Sequence, residues 1–108
     1  MAYDEDLADR IRELLVDERG LTEKKMFGGL AFLVRGNMAI AASGQGGLLV
    51  RVDPDRSDEL VRTTAAEPMA MGGRTMTGWL RVPTPATDAE LADWVACGVG
   101  YARTLPPK

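Results

Sequence analysis

Histidine is absent from the sequence, and cysteine occurs once, at position 97. Histidine is the side chain that enzymes use most often as a general base near neutral pH, and it is the commonest metal ligand in proteins. One cysteine cannot form an internal disulfide, and without histidine it cannot complete a zinc site. These absences argue against an enzyme, and we expect no cofactor and no bound metal. Cys97 has apolar neighbours in a helical pattern, which favours a packed or half-exposed thiol over a nucleophile.

Long apolar segments are missing as well. No apolar run approaches the roughly 20 residues that a membrane-spanning helix needs. The acidic N-terminus from Met1 to Asp6 lacks the apolar stretch of a signal peptide. We therefore expect a cytoplasmic protein that does not contact a membrane.

Charge and length set two further limits. The 13 basic and 16 acidic residues give a net charge of −3, which does not supply the basic surface that sequence-independent nucleic-acid binding needs. A chain of 108 residues predicts a single domain over residues 1–108. Such a domain has room for one core but not for a large enclosed pocket as well.

Short apolar runs separated by turn residues dominate the first half of the chain. Five segments have the composition of β-strands: residues 30–35, 38–43, 48–52, 69–71 and 75–82. The first three follow one another too closely for a helix to fit between them, which is typical of an antiparallel meander. Gly36-Asn37 is predicted as the tight turn between the first two strands, since both residues accept positive φ angles.

Three helices are predicted from their capping residues, Asp4, Asp53 and Thr87. In the first helix an apolar stripe is expected to face the core, formed by Leu7, Ile11, Leu14 and Leu15. Gly20 is expected to end this helix, and residues 21–25 are interpreted as a polar connection. The resulting order is α-β-β-β-α-β-β-α, which predicts an α+β domain with an antiparallel five-stranded sheet.

Three segments of the sequence resemble a known family when they are taken together. Lys24-Lys25-Met26-Phe27-Gly28-Gly29-Leu30-Ala31-Phe32 is followed by Gly36-Asn37-Met38, and later by Gly73-Arg74-Thr75-Met76-Thr77-Gly78-Trp79-Leu80-Arg81-Val82. This pattern resembles the TfoX/Sxy N-terminal domain of bacteria, and the likeness spans nearly the whole chain.

The resemblance implies a fold and a class of function. The implied fold is a two-layer α/β sandwich similar in topology to type III secretion chaperones. The members that name the family act as positive regulators of natural competence, as co-activators beside a cyclic-AMP-dependent transcription factor, and they carry a second, helical domain. Residues 1–108 are expected to be a single-domain member without that second domain. The family supplies no catalytic residues to carry over.

One set of side chains suggests a binding surface. If Leu48, Val50, Leu80 and Val82 face the helices, alternation places six residues on the opposite face of the sheet. These six are Leu33, Arg35, Leu49, Arg51, Trp79 and Arg81. An apolar sheet face with tryptophan and arginines is enriched in the residue types of protein interfaces. Two interpretations are equally open: the face binds a protein partner or a second copy of the chain, or a helix or the C-terminal tail covers it.

The leading functional prediction is a non-enzymatic regulatory or adaptor domain that acts through protein–protein contacts. The first alternative is a nucleic-acid-associated accessory factor, which would need five basic residues to converge: Lys24, Lys25, Arg35, Arg51 and Arg81. The second is a small-ligand binder, which would need a concave pocket lined by polar groups. The glycine pairs do not have the spacing of a phosphate-binding loop, so turns and bulges are the preferred interpretation.

Overall fold

The computed structural model describes residues 3–26, 28–71 and 73–107. Within these ranges the chain forms three helices, which are α1 (Glu5–Leu14), α2 (Ser57–Thr63) and α3 (Asp88–Arg103). It also forms six strands there: β1 (Leu21–Met26), β2 (Gly29–Val34), β3 (Asn37–Ala42), β4 (Leu48–Arg51), β5 (Glu67–Met71) and β6 (Arg74–Val82). A short 3₁₀ turn, Pro54–Arg56, leads into α2. Phe27 of the predicted family motif and Gly72 lie outside the described residues.

The six strands form one open antiparallel sheet in the order β1-β2-β3-β4-β6-β5. One row of opposed residues crosses four of these strands: Phe32, Ile40, Val50 and Leu80. All four are completely buried. Because side chains alternate between the two faces of a strand, this row identifies the core-facing side of the sheet.

The core is closed by helices that pack on that side. Leu7 and Ile11 of α1 and Leu91 and Val95 of α3 belong to the same buried cluster as the strand row. Two ion pairs join the α1 region to α3, one from Arg10 to Asp88 and one from Arg103 to Glu18. Burial of these aliphatic side chains provides the main driving force that holds the two layers together.

The predicted caps at Asp4 and Thr87 are confirmed for α1 and α3, whereas Asp53 caps the 3₁₀ turn, and α2 begins later, at Ser57, without a side-chain cap. The backbone amide of Leu7 donates to the carboxylate of Asp4 at 3.1 Å, and that of Asp55 donates to Asp53 at 2.9 Å. At α3 the amide of Glu90 donates to the hydroxyl of Thr87 at 3.2 Å. Each cap satisfies an amide that has no partner within its own helix, which fixes where the helix begins.

The predicted five-stranded sheet is wrong by one strand, and the predicted element order changes with it. The segment interpreted as a polar connection, residues 21–25, is part of β1, which pairs with β2 from Leu21 opposite Val34 to Met26 opposite Gly29. β1 is an edge strand whose four central side chains are exposed. It therefore lacks the apolar alternation by which half-buried strands are detected in a sequence.

Two local predictions are also corrected. α1 ends at Leu14, well before Gly20, and Leu14 is 43% exposed, so Ala8 rather than Leu14 completes the buried stripe. The turn between β2 and β3 is formed by Arg35 and Gly36, with φ angles of 52° and 84°, while Asn37 already belongs to β3. Two successive positive φ angles are characteristic of a type I′ hairpin turn.

Candidate functional site

Five of the six predicted site residues lie on the side of the sheet that faces away from the core cluster. Each of them alternates with a buried core residue along its strand and is itself only partly buried. We call these five residues the outer sheet face: Leu33 on β2, Leu49 and Arg51 on β4, and Trp79 and Arg81 on β6. The alternation in the sequence therefore placed these residues correctly.

The sixth predicted residue, Arg35, does not belong to this face. It is exposed, lies in the β2–β3 turn and has a positive φ angle of 52°. Alternation holds only while the backbone is extended, so a residue in the turn no longer follows the strand's two faces. The prediction for Arg35 was therefore wrong because the strand ends one residue earlier.

Direct pairing brings four of the five residues together. Leu49 is opposite Arg81 and Arg51 is opposite Trp79 on the neighbouring strands β4 and β6. Cross-strand neighbours of this kind have Cβ atoms about 5 Å apart, so their side chains are in contact distance. The guanidinium of Arg81 also donates from Nη1 to Oε1 of Gln45 at 2.6 Å, which holds its charged end over the β3–β4 connection.

Arg51 is held between two aromatic rings. Its guanidinium carbon lies 5.4 Å from the centroid of the Trp79 ring and 5.8 Å from that of Tyr101 on α3. Both distances are within the range of a cation–π interaction. Arg51 therefore connects the outer sheet face to the C-terminal part of α3, a contact that the sequence did not predict because Tyr101 is 50 positions away.

The centre of the outer sheet face has a floor of small side chains. Ala41 on β3 is opposite Ala31 on β2 and Leu49 on β4. Both alanines are buried, at 1% and 4% exposure, although they alternate with core residues. The methyl groups are themselves covered, so the exposed atoms of the face belong to larger neighbours such as Leu33 and Leu49, which are only partly buried.

The five basic residues of the nucleic-acid alternative do not converge. Lys24 and Arg81 share a cross-strand row through Ala31, Ala41 and Leu49, but four strand spacings of about 4.8 Å separate them, or roughly 19 Å. Lys25 alternates with Lys24 and so extends from the opposite side of β1. Arg35 lies in a turn and Arg51 is stacked on the two rings.

A concave feature lies between α2 and α3 and was not predicted. It is an open groove of about 1010 Å³, closed at the bottom by Val52 and Val82 and lined by Leu60 and Trp94. We call it the α2–α3 groove. Its walls come from segments about 40 residues apart in the chain, so no local sequence pattern predicts the groove.

Cys97 lines the α2–α3 groove and is partly buried, as the sequence predicted. Burial raises the pKa of its thiol, and the nearby guanidinium of Arg56 opposes that shift only in part. A thiol with a raised pKa is mostly protonated near neutral pH, and the protonated form is a poor nucleophile.

No group of three or more histidine, cysteine or carboxylate side chains within residues 3–26, 28–71 and 73–107 is placed to hold a metal ion. Among the helices in those same ranges, none combines the length and apolar character required to cross a bilayer.

Comparison with protein families matches residues 13–101 to the TfoX N-terminal domain. The chain belongs to this family. The match covers more than four fifths of the sequence, which confirms the resemblance that the lysine, glycine and tryptophan segments indicated. No curated protein and no solved structure matches the chain, so the likeness to secretion chaperones stays a prediction.

The structure gives a physical reason for two glycines of this TfoX N-terminal domain. Gly28 has a φ angle of 77° in the turn between β1 and β2. A Cβ atom on Gly29 would lie 2.4 Å from the carbonyl oxygen of Ala42 on the adjacent β3, so no larger residue fits there without moving a strand. Both glycines serve the hairpin, which agrees with the preference for turns over a phosphate cradle.

Proposed function

We propose that this TfoX N-terminal domain is a non-enzymatic regulatory adaptor that acts in the cytoplasm by binding a protein partner at its outer sheet face. The observation that supports the proposal is the side-by-side arrangement of Leu49, Arg51, Trp79 and Arg81 on adjoining strands. Tryptophan and arginine are the residues most enriched among those that dominate binding energy at interfaces. In a domain of this size, a partly exposed face of this composition in the middle of a sheet favours a docking role.

Charge and shape indicate what the partner presents. The outer sheet face contributes two guanidinium groups, from Arg51 and Arg81, around a floor formed by Ala31 and Ala41. A complementary surface carries carboxylates opposite the arginines and apolar side chains that pack on the partly exposed Leu33 and Leu49. Such charge matching raises the association rate and rejects basic partners.

The nucleic-acid alternative receives no comparable support. Counterion release requires several cations to follow one phosphate backbone. Here the basic residues of the sheet are spread over both sides and about 19 Å apart along the shared row, and Arg51 is already stacked on Trp79 and Tyr101.

The first test replaces the tryptophan at the centre of the proposed interface. Trp79→Ala is expected to weaken binding of the cognate protein about 30-fold, which corresponds to roughly 2 kcal/mol for a central interface tryptophan. The measurement is quantitative mass spectrometry of proteins retained from the native cell by the wild-type and variant chains, followed by calorimetry with the purified partner.

Leu14→Ala is the control, since it removes a partly exposed apolar side chain from the end of α1, which belongs to neither the outer sheet face nor the α2–α3 groove. Thermal unfolding of both variants confirms that each remains folded. Retention of every partner by the Trp79 variant would contradict the proposal. A fall in solution mass caused by Trp79→Ala would instead identify the occupant as a second copy of the chain.

A further inference from the structure

The α2–α3 groove follows one face of a helix for most of its length. Six of its lining residues are spaced three or four positions apart along α3: Glu90, Asp93, Trp94, Cys97, Tyr101 and Thr104. This spacing is that of a single helical face. At 1.5 Å per residue the lined stretch is about 21 Å long, or nearly four helical turns. The groove is thus an elongated channel rather than a round pocket.

The groove has an apolar floor and an acidic rim. Its charged lining groups are three carboxylates, from Asp53, Glu90 and Asp93, and one guanidinium, from Arg56. Within the described residues, neither Glu90 nor Asp93 takes part in an ion pair. Carboxylates that line an open groove without a cationic neighbour attract a positively charged ligand.

The two ends of the groove differ. Glu90 and Asp93 lie at the N-terminal end of α3, whereas Arg56 acts on the thiol of Cys97 nearer the middle. Trp94 and Tyr101 add aromatic surface, and the Tyr101 ring already accepts the Arg51 guanidinium. A cationic side chain is therefore best accommodated at the Glu90–Asp93 end, with apolar side chains beyond it.

We propose that the α2–α3 groove binds an amphipathic helix of a partner protein, with lysine or arginine residues at the end that contacts Glu90 and Asp93. The volume of about 1010 Å³ is at the upper limit of small-molecule pockets, which are roughly 300–1,000 Å³. The channel length fits four turns of a helix that places its apolar side on the partly exposed Leu60 and Trp94. This is the helix-in-groove mode of peptide recognition.

This site shares no residue with the outer sheet face, although the two adjoin where Arg51 contacts Tyr101, and its charge is opposite. The outer sheet face carries two arginines, whereas the groove carries an excess of carboxylates. Two surfaces of opposite sign allow the adaptor to hold two different proteins at once. The inference goes beyond the proposed function and does not depend on it.

The experiment uses a phage-displayed library of 16-residue helices with a fixed apolar side and with flanking positions randomised among lysine, glutamate and serine. The full chain is the target, and chains with Gly100→Leu are used for counter-selection. Gly100 lines the groove, and a Cβ atom there meets no heavy atom of the described residues within 4 Å. A leucine at this position fills the channel without disturbing the core and favours the helix.

Enriched peptides are expected to carry lysine at one end. One of them, made as a fluorescent peptide, should bind Asp93→Lys about fivefold more weakly than wild type, which is what an exposed charge pair contributes. Gly100→Leu should abolish binding, and Glu13→Lys, the same reversal on exposed α1, should change nothing. Bound peptide should also slow alkylation of Cys97, the single thiol of the chain.

Three results would overturn the inference. The first is that the library yields no peptide that binds wild type but not the Gly100→Leu variant. The second is that the enriched peptides are acidic or neutral. The third is that the fluorescent peptide still binds the Gly100→Leu variant. Loss of the proposed partner with Trp79→Ala but normal peptide binding would confirm that the two surfaces act separately, so failure of one proposal leaves the other standing.

Discussion

Gly98 and Gly100 lie close together in α3 but have opposite surroundings. A Cβ atom on Gly98 would lie 2.4 Å from the carbonyl oxygen of Ala39 on β3, whereas one on Gly100 would meet no described heavy atom within 4 Å. Gly98 therefore permits the close contact between α3 and the sheet. The position of α3 in turn determines where the α2–α3 groove and Tyr101 lie.

Alanine at these two positions is predicted to have opposite effects on stability. Gly98→Ala should lower the free energy of unfolding by about 2 kcal/mol, because the added methyl group overpacks a rigid backbone contact. Gly100→Ala should raise it by about 0.8 kcal/mol, the difference in helix propensity. Urea unfolding followed by circular dichroism measures both. Equal effects of the two substitutions would show that α3 does not approach β3 so closely.

At this scale, alternation along the strands correctly assigned Leu33, Leu49 and Trp79 to the outer sheet face. It failed for Arg35, because the boundary between strand and turn depends on two consecutive positive φ angles that the sequence pattern does not mark. The stacking of Arg51 on Tyr101 could not be predicted either, because it depends on how α3 crosses the sheet.

Among the elements, α1 and the edge strand β1 are joined by one arginine. Arg12 donates from Nε to Oε2 of Glu23 at 2.8 Å and from Nη1 to Oδ1 of Asp9 at 2.6 Å. The hydrogen bond from Arg12 lowers the pKa of the Glu23 carboxyl below its usual value, and partial burial opposes this shift. The ion pair thus ties a strand that has only one neighbour to the helical layer.

The lowered pKa predicts a pH dependence of stability. A carboxyl whose pKa is lower in the folded state stabilises the fold above its unfolded pKa, and the effect disappears as the pH falls through the folded value. Glu23→Gln should therefore destabilise the protein slightly at pH 7 and less as the pH falls below about 4.3. The free energies of unfolding of wild type and variant are compared by urea unfolding between about pH 2.5 and 7, which covers roughly the range in which a carboxyl group titrates.

Glu13→Gln is the control for this prediction, since Glu13 is an exposed residue of α1 with the same charge. It removes the same charge from α1 but keeps the Arg12–Glu23 ion pair, so the comparison isolates the effect of that contact. The effect of Glu23→Gln should also shrink at high salt, because an exposed ion pair is screened. A pH-independent difference between wild type and the Glu23 variant would contradict this interpretation.

Element by element, the sequence predicted the starts of α1 and α3 and five of the six strands, whereas the start predicted for the second helix is that of the 3₁₀ turn before α2. It missed β1 because the signal of a strand is the side that it buries, and the central residues of β1 are exposed. Cap residues were reliable because their hydrogen bonds are local, as at Thr87 and Glu90. The end of α1 was not predicted correctly, because no helix-ending residue follows Leu14 and the apolar pattern continues to Leu15.

For the whole molecule, the sheet order places β3 and β4 in the middle and β1 and β5 at the edges. Backbone amides of central strands have hydrogen-bond partners on both sides and are covered by α3, whereas half of the amides of an edge strand face solvent. Stability should therefore be lowest at the two edges.

Hydrogen exchange should follow this arrangement. Amides in β3 and β4 are expected to exchange only through global unfolding, whereas β1 and β5 should exchange through local opening and faster by about tenfold or more. Mass spectrometry of exchanged peptides from each strand measures the difference. Equal protection of β1 and β3 would show that the edge is covered in solution, for instance by a second molecule.

The overall class, a single layer of antiparallel strands with helices, followed from the order of predicted elements. The α2–α3 groove did not, because its walls at residues 53–65 and 82–104 meet only after the sheet has formed. A concave surface is a property of assembly, whereas capping and alternation are properties of neighbouring residues.

The charged edge strand has a consequence for how the protein behaves when it is crowded. An open sheet offers unpaired backbone groups that can template the addition of foreign strands and lead to aggregation. A foreign strand that approached β1 would contact the charged residues Glu23, Lys24 and Lys25. One that approached β5 would contact Pro68, which has no amide hydrogen to donate. We therefore expect the protein to resist aggregation through its two edge strands, even though neither pairs with a further strand on its outer side.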